Sequence, residues 1–283
     1  MPQADSLLKQ AKALLSDVET PALDARLLLQ HVTGQSHTDL VAEPDLQISE
    51  THAEEFLALV KRRLLDEPVT RILGRREFYG RDFIVTPDVL DPRADTEVLI
   101  ETALALMPEG EPLHILDLGT GSGIIAVTLL AERKAASGVA VDVSEAALAI
   151  ARRNAEALNI LDRLTFINSS WFDGVTGTFD AILSNPPYIE ASTISGLEED
   201  VRNYDPHLAL DGGADGLACY RAIALGASEH LKQDGFVALE IGAGQASDVE
   251  AICATNHLHL VSQHLDLGGH IRCLVFRRSP QSV

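Results

Sequence analysis

Apolar residues recur along this chain with two different spacings, and the change of spacing divides it into two parts. In the first part they recur every three to four residues, which places them on one face of a helix. This spacing is found in segments 7–15, 22–29 and 56–65. The pattern predicts a small helical bundle.

In the second part, short apolar runs alternate with helical patterns, as is typical of a largely parallel β-sheet covered by helices on both faces. The predicted strands are 114–118, 138–142, 164–168, 179–183 and 271–276, the last of them antiparallel. Between the two parts, residues 77–85 alternate weakly around Gly80 and predict a hairpin. The predicted division is a helical domain at 1–73, a hairpin linker at 74–90 and an α/β domain at 91–283.

The first predicted strand ends in a glycine-rich turn, Gly119-Thr120-Gly121-Ser122-Gly123, preceded by Asp117. Glycines allow the backbone to approach a ligand closely and to adopt unusual φ values. A dinucleotide fingerprint requires glycine or alanine at its sixth position, where this chain has Ile124. The spacing instead suits a ligand with an amino-acid tail and no phosphate, such as S-adenosylmethionine.

The next two predicted strands also end in residues suited to a nucleoside. Asp142 follows the glycine turn by about twenty residues, the separation expected of a carboxylate that binds ribose hydroxyls. As an alternative, it stabilises the start of the next helix, for which Ser144 is a good N-cap. Trp171, the only tryptophan, lies just past the third strand and either borders the adenine or anchors the core.

The fourth strand leads into Asn185-Pro186-Pro187-Tyr188. Two prolines remove two backbone donors and fix two φ angles, so the turn offers carbonyl groups without competing N–H groups. The Asn185 side-chain oxygen and the Pro186 carbonyl can accept hydrogen bonds from one planar NH2 group, on which the ring of Tyr188 can pack. The turn predicts methylation of an amide or amino nitrogen; the alternative is an ordinary proline-rich turn.

Together these motifs resemble those of class I S-adenosylmethionine-dependent methyltransferases, both adenine-N6 and glutamine-N5 enzymes. Further sequence resembles the release-factor glutamine methyltransferases of the PrmC/HemK family. The segments that carry this resemblance are 71–97, Asp205-Pro206, 209–217, Glu240-Ile241-Gly242 and 266–269. Three positions depart from the family pattern, namely Ser170, Asp205 and His270.

The resemblance implies a Rossmann-like fold with a seven-stranded, mostly parallel sheet. It implies methyl transfer from S-adenosylmethionine, leaving S-adenosylhomocysteine, to the glutamine of the Gly-Gly-Gln motif in class I peptide-chain release factors. The implied cofactor-binding residues are Asp117, Gly119, Thr120, Gly121, Ser122, Gly123, Asp142, Trp171, Phe172 and Asn185. The implied catalytic residues are Asn185, Pro186 and Tyr188, and Asn185 to Tyr188, with Pro187, would bind the substrate amide.

Two other functions remain open from sequence. An adenine-N6 methyltransferase would flip a base into the same turn. A scaffold that binds the cofactor without transferring methyl groups would keep the fold but lose the reaction. The formal net charge of −20 disfavours stable binding to nucleic acid, and 10 basic against 14 acidic residues in 1–85 leave most of the acidity on the second part.

The remaining composition suggests few additional features. Three cysteines and ten histidines show no metal-ligand spacing, so we expect no metal and no disulfide. No leader pattern and no apolar run of about 18 residues occur, so we expect a cytoplasmic protein without a membrane span, acting as a monomer. A basic stretch, comprising Lys61 to Arg63 with Arg71, Arg75, Arg76 and Arg81, is either a partner contact or a set of solvated helix ends.

Overall fold

The computed structural model describes residues 1–279, which form two compact units. The first unit holds Met1–Arg75 together with the short segment Glu198–Tyr204. The second holds Arg76–Leu197 and the chain from Asp205 onward.

The first unit is helical, and its apolar stripes meet in one core. Its helices are α1 (Ala4–Leu14), α2 (Pro21–Thr33), α3 (His37–Ala42), α4 (Glu50–Arg63), α5 (Val69–Leu73) and α9 (Glu199–Tyr204). Leu7, Leu28 and Phe56 on the three longest helices are fully or almost fully buried in that core. Helices α3 and α5 were not predicted, because six and five residues are too short to show a helical period.

Part of the basic stretch forms ion pairs within the chain, whereas Lys61, Arg62 and Arg75 are exposed. Arg63 pairs with the buried Asp24 at 2.7 Å, and Arg62 pairs with Glu67. In the second unit, Arg81 pairs with Glu132 and Arg76 with Asp91. Much of its charge is therefore paired with carboxylates of the chain itself.

The second unit begins with a two-stranded hairpin and continues as a sheet with helices on both faces. The strands are β1 (Arg75–Phe78), β2 (Arg81–Ile84), β3 (His114–Leu118), β4 (Ser137–Asp142), β5 (Leu164–Asn168), β6 (Phe179–Ser184), β7 (Leu231–Glu240), β8 (Leu258–Leu265) and β9 (Ile271–Arg278). The helices are α6 (Thr96–Leu106), α7 (Ile124–Glu132), α8 (Glu145–Ala157), α10 (Ala218–His230) and α11 (Ala246–Thr255).

The seven strands of the main sheet lie in the order β5-β4-β3-β6-β7-β9-β8. Strands β3 to β7 are parallel, whereas β9 runs antiparallel to both β7 and β8. From β3 the chain builds outward first through β4 and β5 and then, on the other side, through β6 and β7. Ligands bind in the crevice at such a reversal, outside the carboxyl ends of the strands. The α/β fold, the mostly parallel sheet and the antiparallel last strand are confirmed.

Each face of the sheet has its own apolar core. Successive side chains of a strand point to opposite faces, so Ile115 packs with α6 and α7, while Leu116 packs with α10. The predicted start of α8 is also correct, since the Ser144 hydroxyl accepts from Ala147 N at 3.2 Å. Among residues 1–279, no helix combines the length and the apolar character that crossing a membrane requires.

We expect Gly138→Ala to destabilise the second unit by about 1–3 kcal/mol, the usual effect of overpacking a core. A Cβ at Gly138 in β4 would lie 2.7 Å from Ile115 Cγ1 and 3.2 Å from the Ile115 carbonyl oxygen, and that backbone cannot move without disturbing the sheet. Denaturant unfolding would measure the loss.

Gly196→Ala is the matched control, since a Cβ there meets no atom within 4 Å. Equal stability of the two variants would show that the close packing of β3 and β4 does not require a glycine.

Candidate active site

The second unit contains a cavity of about 540 Å³ at the carboxyl ends of its parallel strands. Its wall combines the glycine turn after β3, the end of β4, the loop after β5 and the turn after β6. Residues of segments 87–93 and 206–211 also line it, as do Thr96 and Cys219. The volume lies in the range of sites that bind small molecules and cofactors.

Asp117 holds the glycine turn from behind. Its fully buried carboxyl group accepts from the Thr120 hydroxyl at 2.6 Å and from Ala126 N at 3.2 Å. Burial raises the pKa of Asp117 to about 7, against the hydrogen bonds that favour the ionised form. Asp117 does not line the cavity. Asp117 therefore fixes the shape of the turn, and its role as a cofactor ligand stays a prediction.

The glycine turn presents backbone to the cavity. Gly119, Gly121 and Gly123 all have positive φ, a conformation that side chains with a Cβ rarely adopt. Gly119 to Ser122 line the cavity, whereas Gly123 lies behind it. A Cβ on Gly123 would lie 3.1 Å from the Ala151 Cβ, so this glycine allows α7 and α8 to pack closely.

Asp142 joins the ends of two strands and lines the cavity. One of its carboxylate oxygens accepts from Gly121 N at 2.9 Å, and the other accepts from Ser144 N at 2.9 Å. Burial raises the pKa of this carboxyl group, against these backbone hydrogen bonds. Asp142 thus supports the start of α8 and also lines the cavity, and its binding of ribose hydroxyls stays a prediction.

The two aromatic residues after β5 point in different directions. Trp171 lines the cavity with a positive φ of 49°. Phe172 lies outside the cavity wall and stacks on His230, with ring centroids 4.9 Å apart. It also fills the space above Gly226, where a Cβ would lie 2.4 Å from the ring. Phe172 thus packs against α10 in this structure, and its role toward the cofactor stays a prediction.

The turn after β6 contributes Asn185 and Pro187 to the cavity wall, while Pro186 is buried and Tyr188 half-buried outside it. Burial and the charge of Glu240 raise the pKa of Tyr188. The roles of Pro186 and Tyr188 toward a substrate stay predictions. Beside the turn, the Ser184 hydroxyl donates to the Leu118 carbonyl oxygen at 2.7 Å and ties β6 to β3.

Residues distant in sequence hold this turn in place. Gln245 Nε2 donates to the Tyr188 carbonyl oxygen at 3.0 Å, and its Oε1 accepts from Gly242 N at 2.9 Å. A Cβ on Gly216 would lie 2.5 Å from that same Tyr188 oxygen. Gln245 was not among the predicted site residues.

Two buried polar residues next to Asn185 were missed as site residues. Asn185 Nδ2 donates to Thr96 Oγ1 at 3.2 Å. The carboxyl group of Glu240 lies beside both side chains, and their hydrogen bonding favours its ionised form. The available signal was a single acidic residue at the end of the apolar run 236–241, all six residues of which are buried.

The three departures from the family pattern have distinct surroundings. Ser170 lines the cavity next to Trp171. The Asp205 carboxylate accepts from Arg93 Nη2 at 2.6 Å and from Asp91 N at 3.1 Å. His270 is exposed, and its backbone N–H donates to Asp266. Of the three, only Ser170 lies on the cavity wall.

The part of the chain described here contains no group of three or more His, Cys, Asp or Glu side chains arranged to hold a metal ion. Cys253 and Cys273 are buried and Cys219 is partly buried, and none forms a disulfide.

Comparison with known proteins identifies the class. Residues 6–74 match the PrmC N-terminal domain and residues 90–201 match the methyltransferase small domain. A solved methyltransferase from Pyrococcus furiosus is 20% identical and superposes with a TM-score of 0.54, covering 78% of this chain and 98% of that chain. Since this likeness concerns the fold, and the domain match concerns the sequence, the two together define a class I methyltransferase.

Relatives of known name are more similar. A release factor glutamine methyltransferase of Agrobacterium fabrum is 43% identical over 97% of this chain and 96% of that protein. Another, of Cereibacter sphaeroides, is 46% identical over 99% of both. The chain belongs to the release factor glutamine methyltransferase family.

We expect Asp117→Asn to flatten the pH dependence of unfolding of the second unit. Because the folded-state pKa of Asp117, about 7, lies above the ordinary value of 3.8, its stabilising contribution is complete below about pH 4 and is lost as the pH rises through 7. Asparagine has no such charge to bury, so the variant gains stability relative to wild type over this range. Denaturant unfolding at pH 4 to 8 measures the difference.

Asp248→Asn, at an exposed position on α11, is the matched control. If the free energies of unfolding of wild type and Asp117→Asn differ by the same amount at every pH from 4 to 8, the expectation is wrong.

Proposed function

We propose that this protein transfers a methyl group from S-adenosylmethionine to the side-chain amide nitrogen of the glutamine in the Gly-Gly-Gln motif of class I peptide-chain release factors. S-Adenosylhomocysteine is the second product. The observation that carries the proposal is that the glycine turn, Asp142, Trp171 and Asn185 line one cavity. Membership of the release factor glutamine methyltransferase family supports the choice of acceptor.

The chemical groups on the cavity wall are of the types that suit S-adenosylmethionine. Gly119 and Gly121 offer backbone where side chains would block approach, and Asp142 offers a carboxylate suited to ribose hydroxyls. Trp171 offers an aromatic surface suited to adenine. When bound, the cofactor supplies an electrophilic methyl group on a sulfonium.

The acceptor side of the cavity belongs to Asn185. Its Nδ2 is bonded to Thr96, and no hydrogen bond to its Oδ1 is found within residues 1–279. That oxygen can therefore accept from the NH2 group of a substrate amide. We assign the Pro186 carbonyl as the second acceptor and Tyr188 as the surface on which the planar group packs, as the family resemblance implies.

This arrangement addresses the weak nucleophilicity of an amide nitrogen, whose lone pair is shared with the carbonyl group. Positioning a reactant correctly can contribute on the order of 7–11 kcal/mol. Hydrogen bonds from the NH2 group to Asn185 and Pro186 strengthen as the nitrogen becomes more positive, so they stabilise the transition state more than the ground state. No strong general base is required.

We assign the helical unit, residues 1–73 in the predicted division, to docking of the release factor. The match of residues 6–74 to the PrmC N-terminal domain supports a role specific to this family. The net charge of −20 disfavours stable binding to nucleic acid and suits a basic segment of a protein partner. We propose that the protein acts as a monomer.

Transfer of labelled methyl from S-adenosylmethionine tests the function directly. The acceptors are a purified class I release factor, the same factor with Gln→Ala in its Gly-Gly-Gln motif, DNA and RNA. We expect label on the unaltered factor alone. Label on nucleic acid alone would establish adenine methylation instead, and cofactor binding without transfer to any of these acceptors would favour a scaffold.

We expect Asn185→Ala to lower turnover by at least about a hundredfold, the scale set by removing one preorganised transition-state hydrogen bond. Cofactor binding should change little, because Asn185 is only one part of the cavity wall. Since Trp171 is the sole tryptophan and lines the cavity, its fluorescence on titration with S-adenosylmethionine reports binding separately from turnover.

Asn256→Ala serves as the control, because Asn256 lies just past the end of α11 and outside the cavity wall. Near-wild-type turnover in Asn185→Ala would exclude this residue as the acceptor of the substrate amide.

A further inference from the structure

The side chain of Asn185 can serve the reaction in only one of its two orientations. Its amide carries an oxygen that accepts and a nitrogen that donates, and the two groups have nearly the same shape. A substrate NH2 group needs the oxygen. Rotation by 180° would present a donor to a donor. The cavity therefore requires something that selects the orientation.

Glu240 occupies the position from which this selection can be made. It ends β7, next to the parallel strand β6 that leads into Asn185, and is only 1% exposed. The side chains of Thr96 and Asn185 act on its carboxyl group by hydrogen bonding. Its Oε2 is buried and has no hydrogen-bond partner within the described residues. Glu240 is absent from the cavity wall, so it is not placed to touch a substrate.

An ionised carboxylate accepts hydrogen bonds and cannot donate them. A group that faces Glu240 must therefore present hydrogen. For Thr96 this directs the hydroxyl hydrogen toward Glu240 and leaves its oxygen lone pairs to accept from Asn185 Nδ2, at 3.2 Å. For Asn185 it directs the NH2 group toward Thr96 and Glu240. The Asn185 oxygen is then left for the acceptor side.

We propose that Glu240 is a positioning residue that, together with Thr96, holds the Asn185 amide with its oxygen available to the substrate nitrogen. The proposal rests on the proposed function, because the orientation matters only if an NH2 group is the acceptor.

The neighbours of Glu240 make its charge sensitive to pH. Burial raises its pKa to about 7, against the hydrogen bonds and the positive charge of Arg272. Arg272 is itself held by Asp266 at 3.0 Å and Asp95 at 3.2 Å. The titratable and charged groups that interact with Glu240 are Asp95, Tyr188, Tyr220, Arg272 and Cys273.

A protonated Glu240 could donate a hydrogen bond, and the selection of the Asn185 orientation would weaken. Ionisation is lost as the pH falls through the pKa, so kcat should fall on the acid side of about pH 7. Asp117 titrates in the same range but remains in Glu240 variants. Only the difference between the kcat–pH profiles of wild type and a Glu240 variant is therefore assigned to Glu240.

The principal test is methyl transfer by the full-length Glu240→Gln variant to purified release factor. A glutamine can present its own NH2 group to the Asn185 oxygen, so both Asn185 orientations become satisfied. We expect kcat to fall about tenfold or more, because a misplaced acceptor group lowers the rate of the chemical step. The Kd for S-adenosylmethionine should stay within about twofold of wild type. The acid limb of the kcat profile should become shallower.

Two controls accompany this variant. Glu250→Gln makes the same substitution at an exposed position on α11 and should leave kcat unchanged. Thr96→Ser keeps the hydroxyl and should retain most of the activity, whereas Thr96→Val removes it at nearly constant shape and should lower kcat as Glu240→Gln does. If Glu240→Gln fails to fold, the comparison of Thr96→Ser with Thr96→Val tests the positioning proposal instead.

A Glu240→Gln enzyme with wild-type kcat and an unchanged pH profile would overturn the proposal. So would equal activity of Thr96→Ser and Thr96→Val. A loss of kcat accompanied by an equal loss of cofactor affinity would also overturn it, since that is the mark of a general structural role. Wild-type enzyme in the same assay tests the proposed function separately. If the wild type does not methylate the release factor, the proposed function is wrong, whatever the Glu240 and Thr96 variants do.

Discussion

The hydrogen bonds of the buried Asp117 carboxyl group determine the shape of the site. Asp117 lies one residue before the end of β3 and accepts from the Thr120 hydroxyl and from Ala126 N, which closes the turn into α7. With the turn closed, the amide of Gly121 faces Asp142 on the neighbouring strand. One buried acceptor thus brings the ends of two strands together, and the cavity lies where they meet.

Sequence predicted the parts of this structure that depend on local pattern. Strands β3 to β6 follow short apolar runs, and α8 begins where Ser144 can cap it. The backbone role of the glycine turn follows from its glycines, since Gly119 and Gly121 have positive φ and line the cavity. These features are visible because neighbouring residues determine them.

The parts that sequence did not predict depend on contacts between distant residues. Thr96, Asn185 and Glu240 meet only because β6 and β7 are paired and α6 begins beside their carboxyl ends. Nothing local separates Trp171, which lines the cavity, from Phe172, which stacks on His230. The two adjacent side chains point in different directions because the backbone at Trp171 has positive φ. A tryptophan gives no sequence signal of that conformation.

Asn154 links two segments that lie far before it in the chain. Its Oδ1 accepts from Ile84 N at 2.7 Å, and its Nδ2 donates to the carbonyl oxygens of Ile84 at 3.1 Å and Ser122 at 2.8 Å. Its amide therefore pairs both backbone groups of Ile84, as a neighbouring strand would, and also one from the glycine turn. Buried backbone groups left without partners are costly. The end of the hairpin and the glycine turn therefore share one side chain of α8, and displacing Asn154 would leave backbone groups of both segments without partners.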